Sequence, residues 1–254
     1  MKKFFALMLV MVMMIFSSAM AVGFDGGDYI EEEGIVYQEG QSLNAMRRIA
    51  IMDAYRYLSE RVDDIHVTSN ATVKNLRDLD DEINTKVETV LRGARVMSVT
   101  RESDGSFHAI VRLYLNGKAG SLASAVLGES VQIEDFPPPK FTNIVSENYS
   151  GLIIDCRGKN LSPAITPAIK SVDGTEIYAY KNIGYQTAVD KGMIAYSTSV
   201  DSGVERAGSS PLVIKAVRVS DDCDVVISEE DADKILAYNR SAQFLNNCAV
   251  VLVR

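Results

Sequence analysis

Histidine, cysteine and clustered acids carry most side-chain chemistry, and in this chain they are few and scattered. Only two histidines occur, His66 and His108, each within a strand-like stretch. Neither belongs to a His-Glu-x-x-His segment or a Cys/His cluster, the spacings that bring zinc ligands together. Both fit a half-buried place in a sheet, so no metal ligand is assigned. The acidic run Asp78-Leu79-Asp80-Asp81-Glu82 lacks the Gly and the distal Glu of a calcium loop. It suits a helix N-terminus, where carboxylates oppose the positive end of the dipole.

Nucleophilic chemistry has no better footing. There is no Gly-x-Ser-x-Gly elbow, and no Ser-x-x-Lys with a later Lys-Thr-Gly. Gly117-Lys118-Ala119-Gly120-Ser121 has the composition of a phosphate loop without the Walker spacing, and reads as a loop before a short Ala/Leu helix. The 34 acidic residues always offer carboxylate pairs for glycoside hydrolysis, but no Trp is present to stack on a sugar. Tyr178, Tyr180, Tyr185 and Tyr196 are candidates for a binding wall, although their spacing fits a sheet core with polar tips better. No catalytic, cofactor-binding or metal residue is assigned, no cofactor is expected, and the chain is read as not an enzyme.

The three cysteines are Cys156, Cys223 and Cys248, with no Cys-x-x-Cys redox pair among them. A Cys223–Cys248 bridge would close a loop of about 25 residues, worth roughly 3 kcal/mol. The alternative is three small buried hydrophobes, because each adjoins an apolar strand-like run. Spacing leaves the pairing open.

The beginning of the chain implies export. Lys2 and Lys3 form a positive n-region, Phe4 to Phe16 is unbroken apolar sequence, and Ala19-Met20-Ala21 has the small-x-small pattern that signal peptidase cuts. Residues 1–21 are read as a signal peptide cleaved after Ala21, which places the protein in the periplasm or outside the cell. The apolar run is short of the roughly 20 residues of a membrane-spanning helix. No transmembrane segment is expected after cleavage, and without a Cys near the leader no lipid anchor is expected. A net charge of −8 argues against nucleic acid as a partner.

Organisation follows from periodicity and prolines. Three of the six prolines sit together in Phe136-Pro137-Pro138-Pro139-Lys140, a run that favours a stiff extended conformation. This predicts an α+β domain over 22–130, a Pro-rich linker over 131–145, and a second α+β domain of unknown function over 146–254. In the first, a short strand at Ile35-Val36-Tyr37 follows the acidic Glu31-Glu32-Glu33. A helix over 41–62 comes next, its apolar stripe running through Leu43, Met46, Ile49, Ala50, Ala54, Tyr57, Leu58 and Val62. Ala50 and Ala54 would let it lie close to a sheet. An extended segment around Ile65 to Ser69, a helix over Asp78 to Leu91, and a hairpin turning at Asp104-Gly105 complete the order β-α-β-α-β-β.

In the second half, strands are expected at 151–155, 176–180, 212–219, 225–227 and 249–253. Ser228-Glu229-Glu230-Asp231 resembles a capping box opening a helix to about Leu245, with Ile235, Leu236, Phe244 and Leu245 inward. Both modules are expected to pack helices on a mostly antiparallel sheet.

Residues 34–117 resemble the family of the twenty-kilodalton Lpp outer-membrane lipoprotein, which is itself similar to the N-terminal domain of flagellar assembly protein T. The likeness rests on Gly34-Ile35-Val36, on Ala50-Ile51-Met52-Asp53-Ala54-Tyr55-Arg56-Tyr57-Leu58 with Glu60, and on Val67-Thr68-Ser69 with Thr72-Val73. It continues through Val90-Leu91-Arg92-Gly93-Ala94 and Gly105. The resemblance implies a non-enzymatic envelope protein, associated with outer-membrane or flagellar structures, with no catalytic residues to carry over. The lipid-bearing Cys of lipoprotein members has no counterpart here. The expected function is therefore a structural or assembly role through contacts with envelope proteins or with itself. The alternative is a periplasmic module binding a small ligand or cell-wall fragment in an interdomain cleft beside Pro137–Pro139.

Overall fold

A computed structural model describes residues 29–37, 40–117, 120–128, 132–140 and 147–254. The leader, its cleavage site and parts of the 131–145 segment lie outside the described residues.

The N-terminal half is built on β1 (Tyr29–Val36), α1 (Leu43–Asp63), β4 (Arg95–Arg101) and β5 (Phe107–Tyr114). These strands form an antiparallel sheet in the order β1-β5-β4. Strict alternation in β5 sends Phe107, Ala109, Val111 and Leu113 inward while His108, Arg112 and Tyr114 point outward. The inner row meets α1 through Met46, Ala50, Ala54, Leu58 and Val62, a pure four-residue spacing. Leu43, Ile49 and Tyr57 were expected in that stripe but are exposed. The helix approaches most closely at its middle, where the ridge is reduced to Ala50 and Ala54.

That closeness is set by Gly34. A β-carbon there would lie 2.0 Å from the Ala50 carbonyl oxygen and 2.3 Å from the Ala54 nitrogen. Glycine in the strand and alanine in the helix are thus two sides of one contact. At the edges, Arg61 reaches back to Glu32 at 2.8 Å.

Between α1 and the sheet's edge strand come a small hairpin, β2 (His66–Thr68) and β3 (Ala71–Thr72), and two helices, α2 (Val73–Leu79) and α3 (Asp81–Arg92). The single helix expected over 78–91 is two, because Asp80 adopts an extended backbone and caps α3 with its carboxylate on the Glu82 and Ile83 amides. Thr72 and Asn75 form the capping box of α2. A short helix, α4 (Leu122–Val126), closes this half.

The C-terminal half contains β6 (Gly151–Asp155), β7 (Ile169–Ser171), β8 (Glu176–Tyr178), α5 (Tyr185–Lys191), β9 (Ala195–Ser197) and α6 (Val200–Ala207). There follow β10 (Pro211–Lys215), β11 (Arg218–Ser220), β12 (Asp224–Ile227), α7 (Glu229–Ala242) and β13 (Val250–Val253). The α+β class holds, but the expected antiparallel character of this half does not. One sheet, β10-β6-β13-β9, is parallel throughout. The other, β11-β12-β7-β8, is mixed, with β12 and β7 parallel.

The physical reason lies in the strands themselves. Leu152, Ile153 and Ile154, like Val250 to Val253, are buried in succession, on both faces. Such unbroken apolar runs belong to sheets covered on two sides. Here Ile153, Val251 and Val253 meet α6, while Leu152, Ile154, Val250 and Leu252 join the main core. Gly151 repeats the device of Gly34, its missing β-carbon making room for the Ala207 carbonyl oxygen at 2.3 Å. The run expected as one strand over 212–219 is two strands in different sheets, β10 and β11.

Helix α7 begins as expected, with Ser228 Oγ accepting from the Asp231 amide at 3.1 Å. It ends at Ala242, where Gln243 turns left-handed (φ 53°).

Candidate functional site

The residues singled out for chemistry sit in structural roles. His66 lies on β2, its carbonyl oxygen accepting from the Ile165 amide at 2.9 Å, and its buried Nδ1 meets no hydrogen-bond partner among the described residues. His108, on the outer face of β5, has Nδ1 2.8 Å from Glu33 Oε1 and Nε2 3.0 Å from Ser106 Oγ. This Ser–His–Glu connectivity matches a hydrolase triad on paper. The hydroxyl, however, donates to Asp104 Oδ1 at 2.6 Å, and Ser106 is buried beneath the hairpin turn. A nucleophile must be open to its substrate. The group locks the Asp104-Gly105 turn instead, and hydrogen bonding from Ser106 holds the Asp104 carboxyl below its ordinary range.

All three cysteines are buried and free. Burial pushes the thiols of Cys156 and Cys223 up to about 12, so they remain neutral packing groups. The four tyrosines form no wall. Tyr178 donates to the Met193 carbonyl at 2.8 Å, Tyr180 to Gly128 at 2.6 Å and Tyr185 to Ser124 at 3.3 Å. Tyr196 bonds the Ala164 carbonyl at 3.1 Å. They are rivets between segments. Gly120 and Ser121 lead into α4 as a loop, while Lys118 and Ala119 lie outside the described residues. Among the described residues no group of three His, Cys, Asp or Glu is placed to hold a metal ion.

The proline run proves to be the organising feature of the surface. Residues 132–140 form a strap laid along the C-terminal half. Phe136 stacks on Tyr178 (centroids 6.3 Å apart, planes 8° from parallel), and Pro139 is buried. The Glu134 amide donates to the Lys181 carbonyl at 2.9 Å. At its far end the Lys140 amide donates to Asp233 Oδ1 at 2.9 Å, and Lys140 Nζ bridges Asp173 (2.9 Å) and Glu229 (3.0 Å).

Beside the strap lies an open depression of about 740 Å³, lined by Pro137, Lys170, Thr175, Glu176, Lys181 and Arg218 among others. A smaller one of about 280 Å³ shares Arg218 and Asp221 with it and adds Lys159. The cleft expected between the domains is therefore a surface trough whose described lining comes from the strap, the mixed sheet with its turns, and the 3-10 turn at Lys181. The two halves touch elsewhere: Thr166 donates through amide and hydroxyl to the Val67 carbonyl, and the Gly117 amide donates to Val189.

Charge in the trough is mixed. Lys170 is held protonated by hydrogen bonding to the buried Asp224 carboxylate (2.7 Å), and Lys181 by Glu176 (2.9 Å). Arg218 makes no ion pair among the described residues. The trough offers a cation for a carboxylate and acids for an ammonium.

Comparison with known proteins divides the chain at the same place. Residues 33–114 match the family model of the LPP20 lipoprotein, in agreement with the resemblance read from residues 34–117. Residues 151–254 match the model described as Treponema pallidum Tp0624, second domain. No match was found among curated proteins.

Proposed function

We propose that this chain is an exported cell-envelope protein with no catalysis of its own, acting in structure or assembly through protein–protein contacts at outer-membrane or flagellar structures. The observation that carries the reading is the LPP20 lipoprotein match across the N-terminal module. The signal-like leader supports it, as do the structural commitments of the chain's histidines, cysteines and buried hydroxyls. No described helix is long and apolar enough to cross a membrane. Fractionation of cells producing the full chain tests this. Recovery of a leader-cleaved form with sedimented envelope is expected, and recovery solely from the cytosol contradicts it.

A second reading has its own observation, the trough at Arg218. A cell-wall peptide carries both carboxylate and ammonium groups, and the trough carries complements to both. Calorimetric titration with muropeptides is the check: binding that is lost in Arg218→Ala favours this reading, and no heat of binding removes it.

A further inference from the structure

The inner side of the strap carries a pair of observations that fit one explanation. Ser171 and Asp233 are both buried, at 4% and 6% exposure. Among the described residues, Ser171 Oγ and Asp233 Oδ2 each lack a hydrogen-bond partner. Both residues line the same small, partly open cavity, of about 30 Å³, beside Pro137, Pro138 and Lys140.

A buried carboxylate oxygen left without a donor is costly, and native proteins almost always satisfy such groups. The other oxygen of Asp233 is already occupied by the Lys140 amide. A water needs about 10–15 Å³ for its centre, and the cavity gives about 30 Å³, so it has room for water. We propose that ordered water is built in beneath the strap, donating to Asp233 Oδ2 and bonding Ser171 Oγ.

A metal cation fits less well. Sodium-like or calcium-like ions need about six oxygens, and the neighbouring acids Asp173 and Glu229 are taken by the Lys140 ammonium. Lysine is the cation of this cluster, and the remaining space calls for a neutral molecule that can both donate and accept. The water then belongs to the fastening: it orients the Asp233 carboxylate whose other oxygen holds the strap's backbone.

Diffraction from crystals of the full mature chain, at a resolution that shows ordered solvent, tests the inference, with a parallel soak in thallium salt. A density peak within hydrogen-bond distance of Ser171 Oγ and Asp233 Oδ2, with no anomalous signal, is the expected result. In Ser171→Val, whose methyl groups fill the space, the peak should vanish. An empty cavity, an anomalous thallium peak at the site, or a peak that persists unchanged in Ser171→Val would each overturn it.

Discussion

Gly34, together with Ala50 and Ala54 opposite it, allows α1 to rest on the sheet. Its absent β-carbon would fall 2.0 Å from a main-chain oxygen, a clash that no rotamer relieves. Gly34→Ala should therefore cost about 3 kcal/mol or more, measured as a lowered urea midpoint, whereas Ile35→Ala, on the exposed face, should change little. Asp224 plays the matching part in the other half. It is 2% exposed, accepts from the Ala168 amide at 2.8 Å and pairs with Lys170 at 2.7 Å. Asp224→Ala leaves a buried amide and a partly buried ammonium unpaired, and a loss of about 3 kcal/mol in equilibrium unfolding is expected. The residues that attracted attention for chemistry have quieter duties. His108, Ser106 and Asp104 form a connected group only because a hairpin turn and a neighbouring strand bring them together, which spacing alone does not reveal.

Elements were legible where one period dominated. The α1 pattern, the Asp104-Gly105 hairpin and the Ser228 cap all follow from local sequence, and each stands within a few residues of its expected place. The division of the second helix was harder to read, because Asp78, Asp80 and Asp81 are equally good caps and only the backbone at Asp80 decides. Strands β7 and β9 are three residues long, too short to show a period, and were not anticipated. The parallel sheet left a signal in the non-alternating runs at 152–154 and 250–253, but pairing direction depends on crossovers far away in sequence. Least legible was the strap, since prolines announce stiffness without saying what they lie against. Its fastening should be pH-sensitive. The Lys140 ammonium holds the Asp173 carboxyl well below the usual carboxylate range. A carboxyl whose folded pKa is depressed stabilises the fold above its unfolded pKa of about 4, and that contribution is lost as the pH falls. Between about pH 6 and about pH 3, Lys140→Met should therefore lose less stability than the wild type. Equal losses in both proteins would mean the pair contributes nothing.

At the scale of the whole molecule, the two halves share one core. A single cluster of buried apolar residues runs from Ile30 on β1 to Leu252 on β13. The β2–β3 hairpin bonds the segment before β7, Ser124 in α4 is tied to Tyr185, and Gly128 just after α4 is tied to Tyr180. Such contacts should couple the halves, so a single calorimetric unfolding transition is expected, and two well-separated ones would mean that each half melts alone. A unit of this kind presents its surfaces in a fixed relation, as the structural or assembly role proposed above requires. Several large apolar side chains remain outside the core, among them Met52 at 70% exposure on α1, Met97 at 45% on the edge strand β4 and Val213 at 48% on the edge strand β10. The most direct measurement is in-cell cross-linking from a photoreactive amino acid placed at each of these three positions in the full chain. Discrete adducts to envelope proteins or to a second copy, from at least one position, are the expected result. A protein recovered from the envelope fraction with no adduct at any of them would contradict a role exercised through protein–protein contacts.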